Sequence, residues 1–202
     1  MNFLKKISKK AQTVALIIFC AILITIVSYF IYDKIIRKPS PPVTDTATVA
    51  QEIAVPGLPK RLKIPSINVD VPLEYVGVTA TGAMDIPKST QDVGWFEFGK
   101  RPGEIGNAVL AGHFGLYAGK PSVFDNLHEL KKDEKIIIED ENGAIITFVV
   151  RESKSFDPTA DATEVFSSDD EKSHLNLITC QGDWNKDDKS FSQRLVVFAD
   201  KE

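Results

Sequence analysis

Cys180 is the residue of this chain best suited to nucleophilic chemistry. It closes the apolar stretch LNLITC and is followed at once by Gln181-Gly182, where the glycine lets the chain turn away. A cysteine at the end of a strand presents its thiol at a rim that a substrate reaches. A free cysteine is also among the most buried residue types, so packing in the core is the alternative for Cys180.

A nucleophilic thiol needs a base or a cation nearby. His113 is the best placed base, because it follows a predicted strand and lies between glycines in AGHFG. Arg194 begins the stretch RLVVFAD, with thirteen residues between it and Cys180, and it meets the thiol if the two stretches pair as a hairpin. An ordinary surface ion pair is the alternative for Arg194. His128 and His174 are predicted to be surface residues.

The elements that must position these residues have the pattern of β-strands. Short stretches rich in Val, Ile, Leu and Phe are bounded by turn residues: RLKI, VPLEYV, AVLAGH, EKIIIED, AIITFVVRE, HLNLITC and RLVVFAD. Glu141-Asn142-Gly143 is a good hairpin turn. Only residues 122–132 suggest a helical turn or two. Seven or eight strands without regular helical crossovers predict a mainly β fold, a closed barrel with short helices.

Residues 11–32 form an uncharged, apolar run of twenty-two residues. At about 1.5 Å per residue, a helix of this length crosses the roughly 30 Å hydrocarbon layer. The sequence therefore predicts a transmembrane anchor over 11–32, preceded by a cytoplasmic basic tail over 1–10. A cleaved signal peptide is the alternative, although its apolar region is shorter, about 7–15 residues. Cys20, midway along the span, is predicted to be a small packing residue, with palmitoylation or a helix contact as alternatives.

Charge divides the chain into two unlike parts. Residues 1–60 carry eight basic and three acidic side chains, whereas 61–202 carry sixteen and twenty-five, so +5 and −9 give the net charge of −4. A proline-rich linker over 33–60 separates the anchor from a catalytic domain over 61–202. An acidic domain has no electrostatic reason to lie against an anionic cytoplasmic leaflet. We therefore expect a single-pass protein of the cell membrane, with its N-terminus cytoplasmic and its domain extracellular.

Composition excludes several classes of function. A domain at −9 lacks the basic face that nucleic-acid binding needs. The sequence contains no HExxH, CxxC, GxSxG or GxGxxG motif, and its three histidines show no metal-ligand spacing. Two cysteines, one in each part of the chain, do not predict an intramolecular disulfide framework. The sequence predicts no cofactor.

The layout of anchor, linker and β domain, with AGH, LITC and RLVV in that order, resembles the sortase family of cysteine transpeptidases. The resemblance covers essentially residues 58–202 and implies a closed, eight-stranded sortase-like barrel. Asn176 stands where the family's TLxTC-like element usually has its first threonine, and we expect it on the thiol's side of the sheet. PGEIGNAVLAGH, from Pro102 to His113, is most similar to the compact class D, E or F enzymes.

Carried over residue by residue, the resemblance implies that Cys180 is the nucleophile and His113 the general acid and base. Arg194 would stabilise the oxyanion or the substrate carbonyl, and Thr179 would add a substrate contact. The implied reaction cleaves an LPxTG-like sorting signal through a thioacyl-enzyme intermediate. An amine of a cell-wall precursor or a pilin then receives the secreted protein. These partners imply a Gram-positive cell envelope.

The segment 156–174 corresponds, by this resemblance, to the family's substrate-lining loop. Its clustered carboxylates suggest a calcium site, because hard cations bind such groups. The acidic residues are Asp157, Asp161, Glu164, Asp169, Asp170 and Glu171. A solvated acidic loop without bound metal is the alternative.

Two other functions compete with transpeptidation. A cysteine endopeptidase would use the same three residues and release the product to water. A non-catalytic surface module would keep Cys180 only as a core residue, so its replacement would leave function intact.

Overall fold

The computed structural model of the chain describes residues 25, 28–29 and 55–202. The apolar stretches of the sequence become strands with alternating side chains, and shorter strands complete the sheet. The ten strands are β1 (Pro59–Ile64), β2 (Val69–Val76), β3 (Val93–Phe96), β4 (Gly106–Gly112), β5 (Leu116–Tyr117), β6 (Lys120–Pro121), β7 (Lys135–Asp140), β8 (Ile145–Phe156), β9 (Ser173–Asn185) and β10 (Ser190–Lys201).

Eight of these strands close into a barrel in the order β1-β2-β3-β4-β9-β10-β8-β7, and β7 pairs with β1 to complete it. The pairs β2–β3 and β4–β9 are parallel, and the other pairs are antiparallel. Strands β5 and β6 form a separate two-stranded ribbon. The predicted mainly β fold with a closed eight-stranded barrel is confirmed.

Helices are short in the part of the chain that the structure describes. They are two 3₁₀ turns, Pro65–Ile67 and Leu127–Glu129, and one α-helical turn, α1 (Thr163–Phe166). The second 3₁₀ turn lies within the segment 122–132, where a helical turn was predicted. None of the described helices is long and apolar enough to cross a membrane. Apart from Thr25, Ser28 and Tyr29, which are helical, the predicted span 11–32 lies outside the described residues, as do 1–10 and 33–54.

The barrel strands bury apolar side chains on both of their faces. Inside the barrel, Leu175 and Leu177 of β9 pack in a core with Leu195 and Val197 of β10. The outer face carries a smaller apolar cluster. Its buried members are Val109, Val165, Val196 and Phe198. Because side chains alternate along a strand, the even-numbered residues of β9 and β10 point outward.

A turn anchored by a buried aspartate joins β7 to β8. Gly143 has φ +80°, a left-handed conformation that glycine adopts without strain. Asp140 Oδ1 accepts hydrogen bonds from the backbone N–H groups of Asn142 and Ala144, at 2.9 and 2.8 Å. Its Oδ2 accepts a third bond, from the N–H of Gly57 at 2.9 Å. The predicted hairpin turn is confirmed, and its aspartate also ties the start of the domain to the barrel.

Candidate active site

Cys180, His113 and Arg194 lie on the outer face of the barrel at one end. Strands β4 and β9 run parallel, and Ala111 pairs with Ile178. His113 and Cys180 each lie two residues beyond this pair, at the same end of the paired region of the two strands. Arg194 lies on β10, the strand that neighbours β9 on its other side. The topology therefore brings the three residues singled out in the sequence to one edge of the barrel.

Cys180 and Arg194 are cross-strand partners in the β9–β10 hairpin. The register shifts just beyond this pair, where Gly182 and Asp183 of β9 lie opposite Ser192 alone. Gly182 has φ +84°, and a Cβ at this position would collide with the Ser192 hydroxyl. Such a bulge bends the strand and changes the direction of nearby side chains, as often occurs beside active sites. The glycine after the cysteine is therefore required by the backbone.

The thiol of Cys180 is free and half-buried. Burial raises its pKa, because the low-dielectric surroundings disfavour the thiolate, and the positive charge of Arg194 lowers the pKa in part. The net shift is upward. The thiol is consequently protonated at neutral pH in the substrate-free protein, and its activation needs a proton acceptor.

His113 is half-buried, and a backbone carbonyl orients its ring. Its Nε2 donates a hydrogen bond to the carbonyl oxygen of Pro87, at 2.8 Å. Since a carbonyl oxygen only accepts, this contact selects the tautomer with the proton on Nε2 and leaves the lone pair on Nδ1. Pro87 lies in the connection between β2 and β3. A loop without a periodic pattern thus fixes which nitrogen of the neutral ring carries the proton.

Hydrogen bonds within its own strand hold the guanidinium of Arg194. Nη1 donates to the carbonyl oxygens of Phe191 and Gln193, at 3.1 and 3.0 Å, and Nη2 donates to Ser190 Oγ at 3.0 Å. All three acceptors are uncharged. No carboxylate of the described residues forms a salt bridge with Arg194. The surface ion pair considered for this residue is therefore absent here, and its charge remains unneutralised beside the thiol.

Thr179 and Asn176 hold the surroundings of the site together. The buried Thr179 hydroxyl donates to the carbonyl oxygen of Gly112, the residue before His113, at 2.8 Å. Asn176 shares the outward face of β9 with Cys180, as expected, and its Nδ2 donates to the carbonyl oxygen of Val165 at 2.7 Å. Asn176 thereby fastens α1 onto the barrel. The substrate contact inferred for Thr179 stays a prediction.

The acidic residues of the segment between β8 and β9 mostly have partners within the protein. Asp157 and Asp161 bind Thr159 and Thr163, two residues further on in each case. Glu164 pairs with a lysine of β8, and Asp170 pairs with a histidine. No group of three metal-ligating side chains converges among the described residues. The calcium hypothesis gains no support from this arrangement.

The prediction that His174 is a surface residue is wrong. Its side chain is only 5% exposed, because β9 carries it between two carboxylates. Nδ1 lies 2.7 Å from Asp200 Oδ1, and Nε2 lies 2.8 Å from Asp170 Oδ1. These partners come from β10 and from the β8–β9 connection, which a spacing argument along one strand does not reveal. His128 is exposed, as predicted.

Comparison with known proteins identifies relatives that share this barrel. A family model of the Sortase domain matches residues 62–202. The structure is similar to that of sortase C-1 from Actinomyces oris, with 26% identity over 70% of this chain and 72% of that chain, and a TM-score of 0.55. Streptococcus agalactiae sortase C1 in complex with MTSET is 27% identical over 71% of this chain and 66% of that chain, with a TM-score of 0.55. No curated protein matches the chain.

A third solved structure shows the same fold at lower identity. Sortase A from Corynebacterium diphtheriae is 23% identical over 73% of this chain and 61% of that chain, with a TM-score of 0.53. These neighbours are of the C and A types. The similarity to class D, E or F enzymes therefore stays a prediction for this chain.

Proposed function

Because this chain belongs to the sortase family, whose members are cysteine transpeptidases acting on peptide bonds, we propose that it anchors secreted proteins to the cell envelope. Its substrate is a protein with a C-terminal, LPxTG-like sorting signal. Its second substrate is an amine of a cell-wall precursor or a pilin. The observation that carries the proposal is the meeting of Cys180, His113 and Arg194 at one edge of the barrel.

In the first step, His113 takes the proton of the Cys180 thiol, and the resulting thiolate attacks the carbonyl carbon of the scissile peptide bond. A C–S bond forms, the C–N bond breaks, and His113 protonates the departing amine. The product is a thioacyl-enzyme. The Nε2–H bond to Pro87 leaves Nδ1 available for this proton exchange.

In the second step, an amine attacks the thioester carbonyl. A C–N bond forms, the C–S bond breaks, His113 accepts the proton of the amine, and the thiolate is restored. Both steps develop negative charge on the carbonyl oxygen. Arg194, held by uncharged acceptors, offers a fixed positive charge to that oxygen.

The cellular setting is part of the proposal. The apolar run 11–32 anchors the chain in the cell membrane of a Gram-positive bacterium, the linker 33–60 spaces the domain from the bilayer, and the domain acts outside the cell. The acidic net charge of 61–202 is compatible with this placement.

Product analysis distinguishes transfer from hydrolysis. The full-length chain is incubated with an LPxTG-like peptide in the presence and absence of triglycine. A ligated product supports transpeptidation, whereas cleavage without ligation supports the endopeptidase alternative. The absence of any cleavage, over a panel of related sorting peptides, would contradict both.

A further inference from the structure

His113 lines two cavities of similar size. The aromatic cavity, of about 560 Å³, is defined by the rings of Phe114, Tyr117, Trp184 and Phe191. The polar cavity, of about 580 Å³, is lined by the same histidine. It is defined by Glu74, Tyr75, Asp85 and Lys88. The proposed transfer reaction needs only one place beside His113 for an amine, so the two cavities are competing candidates.

The rings of the aromatic cavity come from the segment that follows β4 and from the β9–β10 hairpin. Phe191 of β10 packs edge-on against Phe114, the residue after His113, with centroids 5.3 Å apart. It also packs against Trp184 of β9, with centroids 5.1 Å apart. Tyr117 of the β5–β6 ribbon remains 68% exposed, and Trp184 remains 51% exposed. The cavity is therefore a built, solvent-accessible aromatic surface next to the general base.

Charge distinguishes the two cavities. No carboxylate, lysine or arginine lines the aromatic cavity in the part of the chain that the structure describes. The polar cavity contains two carboxylates and a lysine, and Pro87 lines it as well. Because the Pro87 carbonyl occupies Nε2 of His113, that nitrogen is not available to an amine approaching from the polar cavity.

Connectivity also favours the aromatic cavity. Trp184 and Phe191 belong to the β9–β10 hairpin that carries Cys180 and Arg194. The departing and the entering amines are bonded in turn to the same carbonyl carbon on Cys180, so they occupy the same side of His113. A cavity that spans His113 and this hairpin meets that requirement.

We propose that the aromatic cavity is the acceptor subsite and that it takes a primary amine carried on an uncharged aliphatic stem; this inference rests on the transpeptidase function proposed above. The stem lies against the rings and loses water, as apolar groups do in aromatic-lined pockets. Amines with a carboxylate on the stem are disfavoured, since no cation lines the cavity.

The partition of the thioacyl-enzyme between an amine and water tests the proposal, because this ratio does not depend on how fast the intermediate forms. The full-length chain is supplied with an LPxTG-like peptide and n-alkylamines from ethyl to hexyl, whose basicities are alike. Burial of the stem predicts that aminolysis gains about two- to fourfold per methylene over hydrolysis. The ratio of aminolysis to hydrolysis should be higher with Nα-acetyl-lysine amide than with triglycine or 2,6-diaminopimelic acid. This comparison distinguishes a protein lysine from a diamino acid of a wall peptide.

Trp184→Ala and Tyr75→Ala are matched variants, since each removes one ring that is about half exposed, 51% and 47%, from one of the two cavities. In Trp184→Ala, the ratio of aminolysis to hydrolysis should no longer rise with stem length. Trp184→Phe should restore most of this rise, and Tyr75→Ala should leave it unchanged. A dependence that survives in Trp184→Ala or disappears in Tyr75→Ala would overturn the proposal. So would a wild-type ratio that does not change with stem length.

Fluorescence gives a second readout that does not need turnover. Titration with Nα-acetyl-lysine amide should change the emission of Trp184 saturably, and Trp184→Phe, which keeps only the buried Trp95, should lose the change. If the amine binds in this way while no peptide of the panel is cleaved, the transpeptidase function fails and the cavity assignment stands. Absence of a saturable change in the wild type would count against the subsite.

Discussion

Arg194 lies directly opposite Cys180 in the register of the β9–β10 hairpin, one strand away from the thiol. Its guanidinium is hydrogen-bonded to two backbone carbonyls and one hydroxyl of the same strand. The arginine is therefore fixed by its own hairpin and needs no distant partner. This relationship gives the Cys180 thiol a permanent neighbouring charge.

Replacement of Arg194 by Gln should lower kcat/KM by about 100- to 1,000-fold, the usual cost of removing one donor to a developing oxyanion. The fold should persist, because the side chain is only half-buried. Arg151→Gln is the matched control, since this exposed arginine of β8 pairs with Asp200 and Glu152, and its turnover should equal that of the wild type. An Arg194→Gln enzyme that retains wild-type turnover would contradict the assigned role.

The pH dependence of Cys180 alkylation reports the state of the thiol. Burial raises the pKa of Cys180 and Arg194 lowers it in part, so the rate of reaction with iodoacetamide should rise with pH through a midpoint above that of a free cysteine. Removing the arginine charge in Arg194→Gln should move the midpoint higher still. A midpoint that falls or stays constant in this variant would show that the two groups do not interact.

Thr179 is predicted to position His113 through the Gly112 carbonyl. Thr179→Val removes the hydroxyl at nearly constant volume and should cost about 1–2 kcal/mol in urea unfolding, because a buried acceptor loses its donor. The kcat of Thr179→Val should change by a larger factor than its KM. Thr179→Ser, which keeps the hydroxyl, should restore the free energy of unfolding and the kcat. If the serine variant were as impaired as the valine variant, the hydrogen bond would not be the cause.

The buried carboxylate of Asp140 should make stability depend on pH. Burial alone would raise its pKa, but the backbone N–H groups of Ala144, Gly57 and Asn142 stabilise the carboxylate and lower the pKa in net. Its contribution is present above the unfolded-state pKa and is lost as pH falls through the lower, folded-state pKa. Asp140→Asn should lower the Tm at pH 7, and the gap to wild type should close in acid.

Asp70→Asn is the control for this experiment. Asp70 also has a lowered pKa, through its hydrogen bond with Arg61, but the pair is exposed to solvent and contributes little. The Tm of this variant should stay near that of the wild type across the pH range. A difference between Asp140→Asn and wild type that is the same at pH 7 and in acid would contradict the role given to the ionised carboxylate.

Local patterns were sufficient to predict much of the site. The alternation in LNLITC and RLVVFAD, with a short connection between them, indicated the hairpin that pairs Cys180 with Arg194. The glycine after the cysteine indicated a special backbone position, and Gly182 has it. Glu141-Asn142-Gly143 likewise indicated its turn. These features depend on residues close together in the chain.

Features made by distant segments could not be predicted in this way. The four-residue strand β3 was missed, because VGWF is too short to show a period and includes a glycine. The parallel pairing of β4 with β9 places His113 beside Cys180, yet it joins residues more than sixty positions apart. Pro87 orients His113 from a loop, and His174 is buried by partners from two other segments.

Mass spectrometry of the reaction identifies the residue that carries the acyl group. The full-length chain is mixed with an LPxTG-like peptide and an amine acceptor, quenched early in acid and digested. We expect an acyl fragment of the peptide bound to Cys180, and a ligated product. Both should be absent in Cys180→Ala and His113→Ala and present in His128→Ala, which alters an exposed histidine. A ligated product formed by Cys180→Ala, or an acyl fragment bound to another residue, would contradict this expectation.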